Sequence, residues 1–163
     1  MTADAFIDEA ERLRPVLRGV AGTYLGDSPE AEDVVQDVLL KLWSLHVELH
    51  SPIAPLARVL VRNVSIDLLR RRRPTVEMPE KGIADAGPMQ PQYAVTVERI
   101  MQMVGELPPR QQIILRLRHI EEMEITDIAR LLGTNDVAVR KALSRARKTL
   151  RDRYLEEKRN SDL

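Results

Sequence analysis

The residues best suited to chemistry lie on one face of a helix that apolar spacing predicts over residues 136–157. At about 100° per residue, the face opposite its apolar stripe is basic and begins with short side chains. That face carries Val137, Lys141, Ser144, Arg145 and Lys148, with Arg140 and Arg147 on its flanks. The predicted contact residues are Val137, Arg140, Lys141, Ser144, Arg145 and Lys148. Lysine and arginine so placed can meet guanine edges and phosphates in the DNA major groove. We therefore predict DNA binding by this face, with an ordinary solvated cationic helix as the alternative.

The elements around this helix form a helix-turn-helix pattern. A short helix is predicted over residues 125–132 and is followed by a turn that contains Gly133. Glycine can adopt the positive φ that ends the first helix, and Asn135 is a good N-cap for the second. The apolar stripe of the second helix is Val139, Leu143, Ala146 and Leu150. With this stripe in the core, the basic face is left free for a polyanion.

A second basic segment ends the helical part of the N-terminal half. It consists of four consecutive arginines, Arg70, Arg71, Arg72 and Arg73. Cations stabilise the C-terminal end of a helix dipole, but four exceed what capping requires, which favours phosphate contact. Just before them, Asn63 and Asp67 stand four residues apart and can hydrogen-bond, and Asp67 can pair with Arg70 or Arg71. A structural network is one interpretation of Asn63 and Asp67, and base contact is the other.

A net charge of zero hides strong segregation of charge along the chain. Residues 27–48 hold six acids against one lysine, whereas residues 56–73 carry a net +5 and residues 138–153 a net +6. One surface therefore suits a basic partner and two suit a polyanion. The acidic block follows Ser28, a predicted N-cap, and Pro29 at the first helical position. Its amphipathic stripe is Val34, Val35, Val38, Leu39, Leu42 and Trp43.

The 163-residue chain is predicted to be all-α, since no segment alternates with period two. Residues 74–92 contain four prolines and two glycines and cannot bury enough apolar surface to offset their ordering entropy, so we predict a flexible linker. It separates two small helical domains, residues 1–73 and 93–163. Pro15 predicts a kink or a break in the first helix. The remaining predicted helices cover residues 3–25, 56–73, 93–104 and 110–120.

Composition argues against several function classes. The absence of cysteine excludes a disulfide scaffold, a cysteine zinc site and a thiol nucleophile. His46 and His50 stand four apart in a proline-containing loop without a third ligand, and no glycine-rich phosphate loop is present. We predict no enzymatic activity, no metal site and no cofactor. Because no apolar run approaches the roughly 20 residues that span a bilayer, and residues 1–11 lack a secretory core, we expect a cytoplasmic protein without membrane insertion.

Three parts of the chain resemble signature segments of the bacterial extracytoplasmic-function (ECF) RNA polymerase sigma factors. Residues 31–43 read AEDVVQDVLLKLW and resemble the conserved helix of that family. Residues 62–71 read RNVSIDLLRR and resemble its second signature. Residues 107–112, LPPRQQ, together with the stretch 128–147, resemble its C-terminal signature. The segments occur in the family's order and spacing.

The resemblance implies two helical domains, sigma region two at residues 1–73 and sigma region four at residues 93–163. In this family, region two binds the β′ coiled coil of core RNA polymerase and helps to melt the minus-10 promoter element. Region four binds the β flap and reads the minus-35 element. The linker would thread toward the RNA exit path.

The family's functional residues can be assigned by motif. The resemblance implies polymerase contact by Asp33, Gln36, Asp37, Leu40 and Trp43. A position in the core is the alternative for Val35, Leu39 and Trp43, and we favour it for the two aliphatic residues. It implies minus-10 contact by Asn63, Asp67, Arg70, Arg71 and Arg72. It also implies that residues 47–55 form a loop that captures a flipped base, and that the basic face of 136–157 reads the minus-35 element.

We therefore expect an alternative sigma factor that directs promoter-specific transcription initiation with core RNA polymerase and promoter DNA as partners. An anti-sigma factor is a further partner that the resemblance implies. The first alternative is a free-standing helix-turn-helix regulator, against which the linker argues because no dimer interface is evident. A helical adaptor with no role on DNA is the second alternative, and a polymerase–promoter complex that weakens steeply with salt would argue against it.

Overall fold

A computed structural model of the chain describes residues 1–72 and 91–161, apart from the side chains of residues 91–96 and 161. Within these ranges every regular element is an α-helix, which confirms the all-α prediction. The helices are α1 Ala3–Leu25, α2 Pro29–Ser44, α3 Ala54–Arg72, α4 Pro91–Gly105, α5 Pro109–His119, α6 Ile125–Leu131 and α7 Asp136–Ser161. The predicted linker, residues 74–92, lies outside the described residues except for its last two.

The chain divides into two compact units, the first containing α1–α3 and the second containing α4, α5, most of α6 and α7. In the first unit α1 packs on both α2 and α3, and α2 packs on α3. In the second unit α7 packs on α5 and α4. Each core is aliphatic: Leu17, Leu42 and Val59 are fully buried in the first unit, and Ile114 and Leu117 in the second. Burial of these side chains is the main stabilising term for units of this size.

Pro15 predicts a kink or a break, and the break is wrong, because α1 is one continuous helix through Pro15. Proline removes one helical hydrogen bond, yet the buried face of α1 continues on both sides of it, with Phe6 before and Leu17 and Ala21 after. Both halves are therefore held by the same packing against α2 and α3. Tertiary burial outweighs the local preference of Pro15.

Helix α2 begins as predicted. The hydroxyl of Ser28 accepts a hydrogen bond from the Ala31 N–H at 3.4 Å, and Pro29 occupies the first turn. The apolar stripe of α2 is buried at Val34, Val35, Val38, Leu39 and Leu42. The cap and the stripe together fix which side of α2 faces solvent, because the buried positions set the rotation of the helix.

The helix-turn-helix is also present as predicted. Gly133 lies in the turn that follows α6 and has a φ of 66°, a backbone conformation that glycine adopts without strain. The side-chain oxygen of Asn135 accepts a hydrogen bond from the Ala138 N–H at 2.9 Å and caps α7. Val139, Leu143 and Ala146 are buried, and Ala129 is buried where the prediction requires a small residue. Helix α7 runs four residues beyond its predicted end.

The cap at Asn135 gives a stability prediction. Asn135→Ala lowers the free energy of unfolding by about 1 kcal/mol, because the Ala138 N–H loses its acceptor. Asn135→Asp keeps an acceptor at the same place and is the matched control, with a change of no more than a few tenths of a kcal/mol. Urea unfolding of both variants measures the difference. Equal losses in the two variants would rule out capping as the cause.

Candidate functional site

All six predicted residues of the basic face of α7 are exposed. Val137 has 57% of its surface accessible, and Arg140, Lys141, Ser144, Arg145 and Lys148 are exposed with it. The buried stripe of Val139, Leu143 and Ala146 holds the helix by its other side. Only Arg140 among these basic residues has an acid nearby in the described part of the chain, Asp136 at 3.9 Å. The face thus presents free cations to solvent.

An open groove runs along one flank of α7. It encloses 510 Å³ between Ile125 at the start of α6 and the side of α7. Its lining residues on α7 are Arg140, Leu143, Ser144, Arg147, Lys148 and Arg151. The sequence analysis placed Arg147 on a flank of the basic face without predicting a contact for it, and it did not identify Arg151. The sequence does indicate that both lie beside Arg140, because they follow it by seven and eleven residues and such steps return to nearly the same side of a helix.

His119, the last residue of α5, contacts this flank. The guanidinium Nη2 of Arg147 lies 2.9 Å from the ring Nε2 of His119. Since arginine can only donate, Nε2 accepts and the imidazole is neutral in this arrangement. Burial lowers the pKa of His119 below its ordinary value of 6.5, and the positive charges of Arg147 and Arg118 lower it further.

The pKa of His119 provides a direct test of this contact. A proton NMR titration of the full chain gives His119 a pKa below 6.5, and Arg147→Gln moves that pKa upward by removing one of the charges that oppose protonation. The pKa of His119 in this variant stays below the ordinary value, because the side chain is still partly buried. A His119 pKa that is the same with and without Arg147 would contradict the contact.

Two arginines at the C-terminal end of α3 form ion pairs with carboxylates of the same unit. Arg71 pairs with Asp67 at 3.0 Å, which confirms the predicted i,i+4 contact. Arg72 pairs with Glu30 in the first turn of α2, a contact that the sequence analysis did not identify. Asn63 and Arg70 are half-buried. The predicted minus-10 residues therefore lie along one helix, and two of its arginines carry a carboxylate partner.

The predicted base-capturing segment, residues 47–55, covers the end of the α2–α3 connection and the start of α3. Val47 projects into solvent with 76% of its surface accessible, whereas Ile53 is buried. Glu9 of α1 anchors the segment: its carboxylate accepts the Ile53 N–H at 3.0 Å and also the Ser51 hydroxyl. The α2–α3 connection is thus hydrogen-bonded to α1 near its C-terminal end and exposed to solvent near its N-terminal end, at Val47.

All five residues predicted to contact polymerase are exposed on α2. Asp33, Gln36, Asp37, Leu40 and Trp43 follow one another at steps of one or three residues along the solvent face. Leu40 has 59% and Trp43 39% of its surface accessible, which is unusual for large apolar residues. Val35 and Leu39 are buried, as predicted. The face combines two carboxylates with two apolar side chains.

The acids of this segment fall into two groups. Asp27 pairs with Arg18 at 2.9 Å, Glu32 pairs with Arg14 at 3.3 Å and with Arg18, and Glu30 pairs with Arg72. Asp33 and Asp37, by contrast, form no ion pair within the ranges that the structure describes. The carboxylates around the start of α2 are thus paired with arginines of the same unit. Asp33 and Asp37 remain available to an external cation.

Trp43 is held in place by two rings. Its ring centre lies 4.3 Å from that of His46 in a stacked arrangement and 5.5 Å from that of Phe6 in a tilted one. His46 also lies 2.6 Å from the carbonyl oxygen of Trp43 through its ring Nδ1. The contacts restrict the Trp43 side chain before any partner binds, which lowers the entropy cost of binding through it.

Two kinds of site are absent from the parts of the chain that the structure describes. No group of three or more histidine, aspartate or glutamate side chains is arranged there to hold a metal ion. None of the helices there has the length and apolar character that crossing a bilayer requires.

Comparison with known proteins identifies both units. The family model for sigma-70 region 2 matches residues 10–75, and that for sigma-70 region 4 matches residues 97–150. The first match contains the exposed face of α2 and the arginines of α3. The second contains the helix-turn-helix and the basic face of α7, and it ends one residue before Arg151.

Whole-chain relatives agree with these matches. A probable RNA polymerase sigma factor, RfaY, from Xanthomonas campestris is 34% identical over 80% of this chain and 35% of its own length. The ECF sigma factor SigJ of Mycobacterium tuberculosis is 30% identical over 88% of this chain and 49% of its length. The sigma-E factor of Streptomyces coelicolor is 28% identical over 91% of this chain and 79% of its length. The chain thus spans about a third of the first relative and half of the second.

With regions 2 and 4 both present in order, and with relatives of this group along most of its length, the chain belongs to the sigma-70 family of RNA polymerase sigma factors, in its ECF group.

Proposed function

We propose that this chain is an alternative sigma factor that binds core RNA polymerase and directs promoter-specific transcription initiation. The observation that carries the proposal is the pairing, in one chain, of two free surfaces of opposite charge. The acidic and apolar face of α2 belongs to the region 2 match, and the basic face of α7 belongs to the region 4 match. Each has the chemistry that its proposed partner requires.

In this proposal residues 1–73 form the region 2 domain and contact the β′ coiled coil of polymerase. Asp33 and Asp37 supply charge, Gln36 a hydrogen-bonding group, and Leu40 and Trp43 the apolar contact area. A tryptophan supported by two rings and exposed on such a face has the properties of an interface hot spot. On α3, Asn63, Asp67, Arg70, Arg71 and Arg72 contact the melted minus-10 element. Residues 47–55 receive a flipped base.

Residues 93–163 form the region 4 domain, which binds the β flap and the minus-35 element, and residues 74–92 connect the domains. Val137, Arg140, Lys141, Ser144, Arg145 and Lys148 enter the major groove with the free face of α7. Lysine and arginine contact guanine edges and phosphates there. Binding at two promoter elements through one tethered chain raises specificity, because the second contact forms at a high effective concentration.

The chain has no catalytic role in this mechanism, since the polymerase carries out nucleotide addition and the sigma factor selects where it starts. Core polymerase and DNA set the compartment, so the chain acts in the cytoplasm. We further propose that an anti-sigma factor regulates it, as the resemblance to ECF proteins implies. The exposed apolar side chains of Leu40 and Trp43 are the residues such a partner would cover to block polymerase.

The decisive experiment is in vitro transcription with core polymerase on a library of genomic fragments. We expect start sites that appear only when the chain is added, and polymerase–promoter complexes that weaken steeply as salt rises. Absence of both a stable assembly with core polymerase and new transcripts would overturn the proposal. DNA binding without polymerase assembly would support a free-standing helix-turn-helix regulator in its place.

A further inference from the structure

We propose that Arg147 and Arg151 bind backbone phosphates of one DNA strand along the flank of α7, and that His119 is the residue that positions Arg147 for this contact. The inference rests on the proposed function and deepens it. It adds a second edge to the DNA-contacting surface of α7, beyond the six residues predicted from the sequence and, at Arg151, beyond the region 4 match.

The first step concerns where the cations stand around α7. With Arg140 as the origin, Arg147 and Arg151 fall within about 20° of it, whereas Lys141 and Arg145 lie about 100° and 140° away. The helix thus has two basic edges separated by the surface of Ser144 and Lys148. A helix about 10–12 Å across fills a major groove about 12 Å wide, so both edges come close to a phosphate strand.

The second step concerns the groove itself. The side chains that line its 510 Å³ include four cations and no carboxylate: Ile125, Arg140, Leu143, Ser144, Arg147, Lys148 and Arg151. Arg147, Lys148 and Arg151 have no acid partner within the described residues. A concave surface with several unpaired cations and an apolar floor attracts a polyanion, and a phosphate strand is the polyanion that this helix would meet.

The third step concerns His119. Its Nε2 accepts one N–H of Arg147 at 2.9 Å, which directs the guanidinium along the groove and leaves its remaining donors for phosphate oxygens. The charged groups that oppose protonation of His119 are Arg147 on α7 and Arg118 on α5 itself. Because burial and both arginines favour the neutral ring, the acceptor is present at neutral pH.

The test measures binding of the full chain to a labelled 25-base-pair duplex of mixed sequence by fluorescence anisotropy, from 50 to 300 mM salt. Arg147→Gln and Arg151→Gln each reduce the slope of log affinity against log salt by about 0.9 and weaken binding roughly three- to tenfold. Arg159→Gln removes an exposed cation from the same helix outside the groove. We expect it to leave the slope unchanged.

The role of His119 is tested by a double-mutant cycle. His119→Ala weakens binding in the unaltered chain but has no further effect in the Arg147→Gln background, because it acts only through Arg147. His119→Gln, which can retain an acceptor, restores part of the loss. Additive effects of His119→Ala and Arg147→Gln would overturn the positioning role.

Unchanged slopes in both arginine variants would overturn the phosphate contacts, as would failure of the unaltered chain to bind the duplex at 50 mM salt. Assembly with core polymerase is measured separately on the same variants. A chain that assembles with polymerase but keeps its slopes refutes this inference alone. Altered slopes without any assembly refute the proposed sigma function alone.

Discussion

A chain that carries Asp33→Lys and Asp37→Lys together binds core RNA polymerase more weakly than the unaltered chain by on the order of 100-fold. Both carboxylates are exposed on α2, and neither is neutralised by a cation within the described residues. The change removes two attractions to a basic partner and introduces two repulsions. Like charges brought together across an interface cost several kcal/mol, so the reversal has a larger effect than removal of the carboxylates alone.

The internal ion pairs of α2 explain why these two positions are chosen. Reversal at Glu32 would break contacts with Arg14 and Arg18 and would confound binding with stability. Asp33 and Asp37 carry no such contact, so their reversal leaves the pairing of the first unit intact. A titration of fluorescently labelled chain with core polymerase measures the affinity, and circular dichroism checks the helical content.

The matched control reverses two exposed acids on another helix of the same unit, Asp8→Lys and Glu11→Lys on α1. It changes the net charge by the same amount, so a general electrostatic effect would lower affinity equally in both variants. We expect less than a threefold loss in the control at physiological salt, because distant surface charges are screened. Equal losses in the two variants would show that α2 is not the polymerase-binding surface.

Local sequence rules accounted for most helix positions because the signals involved are themselves local. The cap and proline at Ser28 and Pro29, and the glycine and cap at Gly133 and Asn135, act within three residues and appear as predicted. Pro15 is the instructive exception. Its cost is also local, but the burial that outweighs it comes from α2 and α3, and sequence periodicity does not measure that packing.

The same distinction separates the predicted site residues from those that were missed. Helical periodicity was enough to place the six α7 residues on an exposed face, because rotation about one axis decides exposure. The five α2 residues were assigned by family resemblance. Periodicity had placed one of them, Trp43, in the apolar stripe, whereas 39% of its surface is accessible. The Arg71–Asp67 pair lies within one helix and was also predictable. The pairs Arg72–Glu30 and Arg147–His119 join different helices, and only the packing of those helices brings them together.

The ion pairs of Arg71 and Arg72 change which arginines of α3 are free for phosphate. The sequence offers Arg70, Arg71 and Arg72 as cations for phosphate, with Asp67 as a partner for Arg70 or Arg71. In the structure Arg71 and Arg72 each face a carboxylate, so a phosphate must displace Asp67 or Glu30 before it can pair with them. Exposed pairs of this kind are weak, about 0–1 kcal/mol, so the exchange is feasible.

The second large effect concerns the core that supports the proposed DNA-binding face of α7. Leu143→Ala lowers the free energy of unfolding of the second unit by about 2–5 kcal/mol. Leu143 is 2% accessible and belongs to the buried stripe of α7, which packs on α5. Truncation removes buried apolar atoms and leaves a cavity that the neighbouring helices fill only in part. For a unit of roughly 70 residues, whose total stability is only about 4–10 kcal/mol, this is a large share.

Hydrogen exchange followed by mass spectrometry of the full chain measures the change unit by unit. Peptides from α5 and α7 lose protection by roughly 30-fold or more, which is the lower end of that free energy, while peptides from α1–α3 keep theirs. Asp152→Ala is the control on the same helix: its side chain is exposed, and we expect a change within about 0.5 kcal/mol. Equal loss of protection in both units would mean that they unfold as one cooperative body. Loss confined to the second unit would instead mean that the proposed polymerase-binding face on α2 can be retained while the proposed DNA-binding face of α7 is lost. The two surfaces could then be separated experimentally in a single chain.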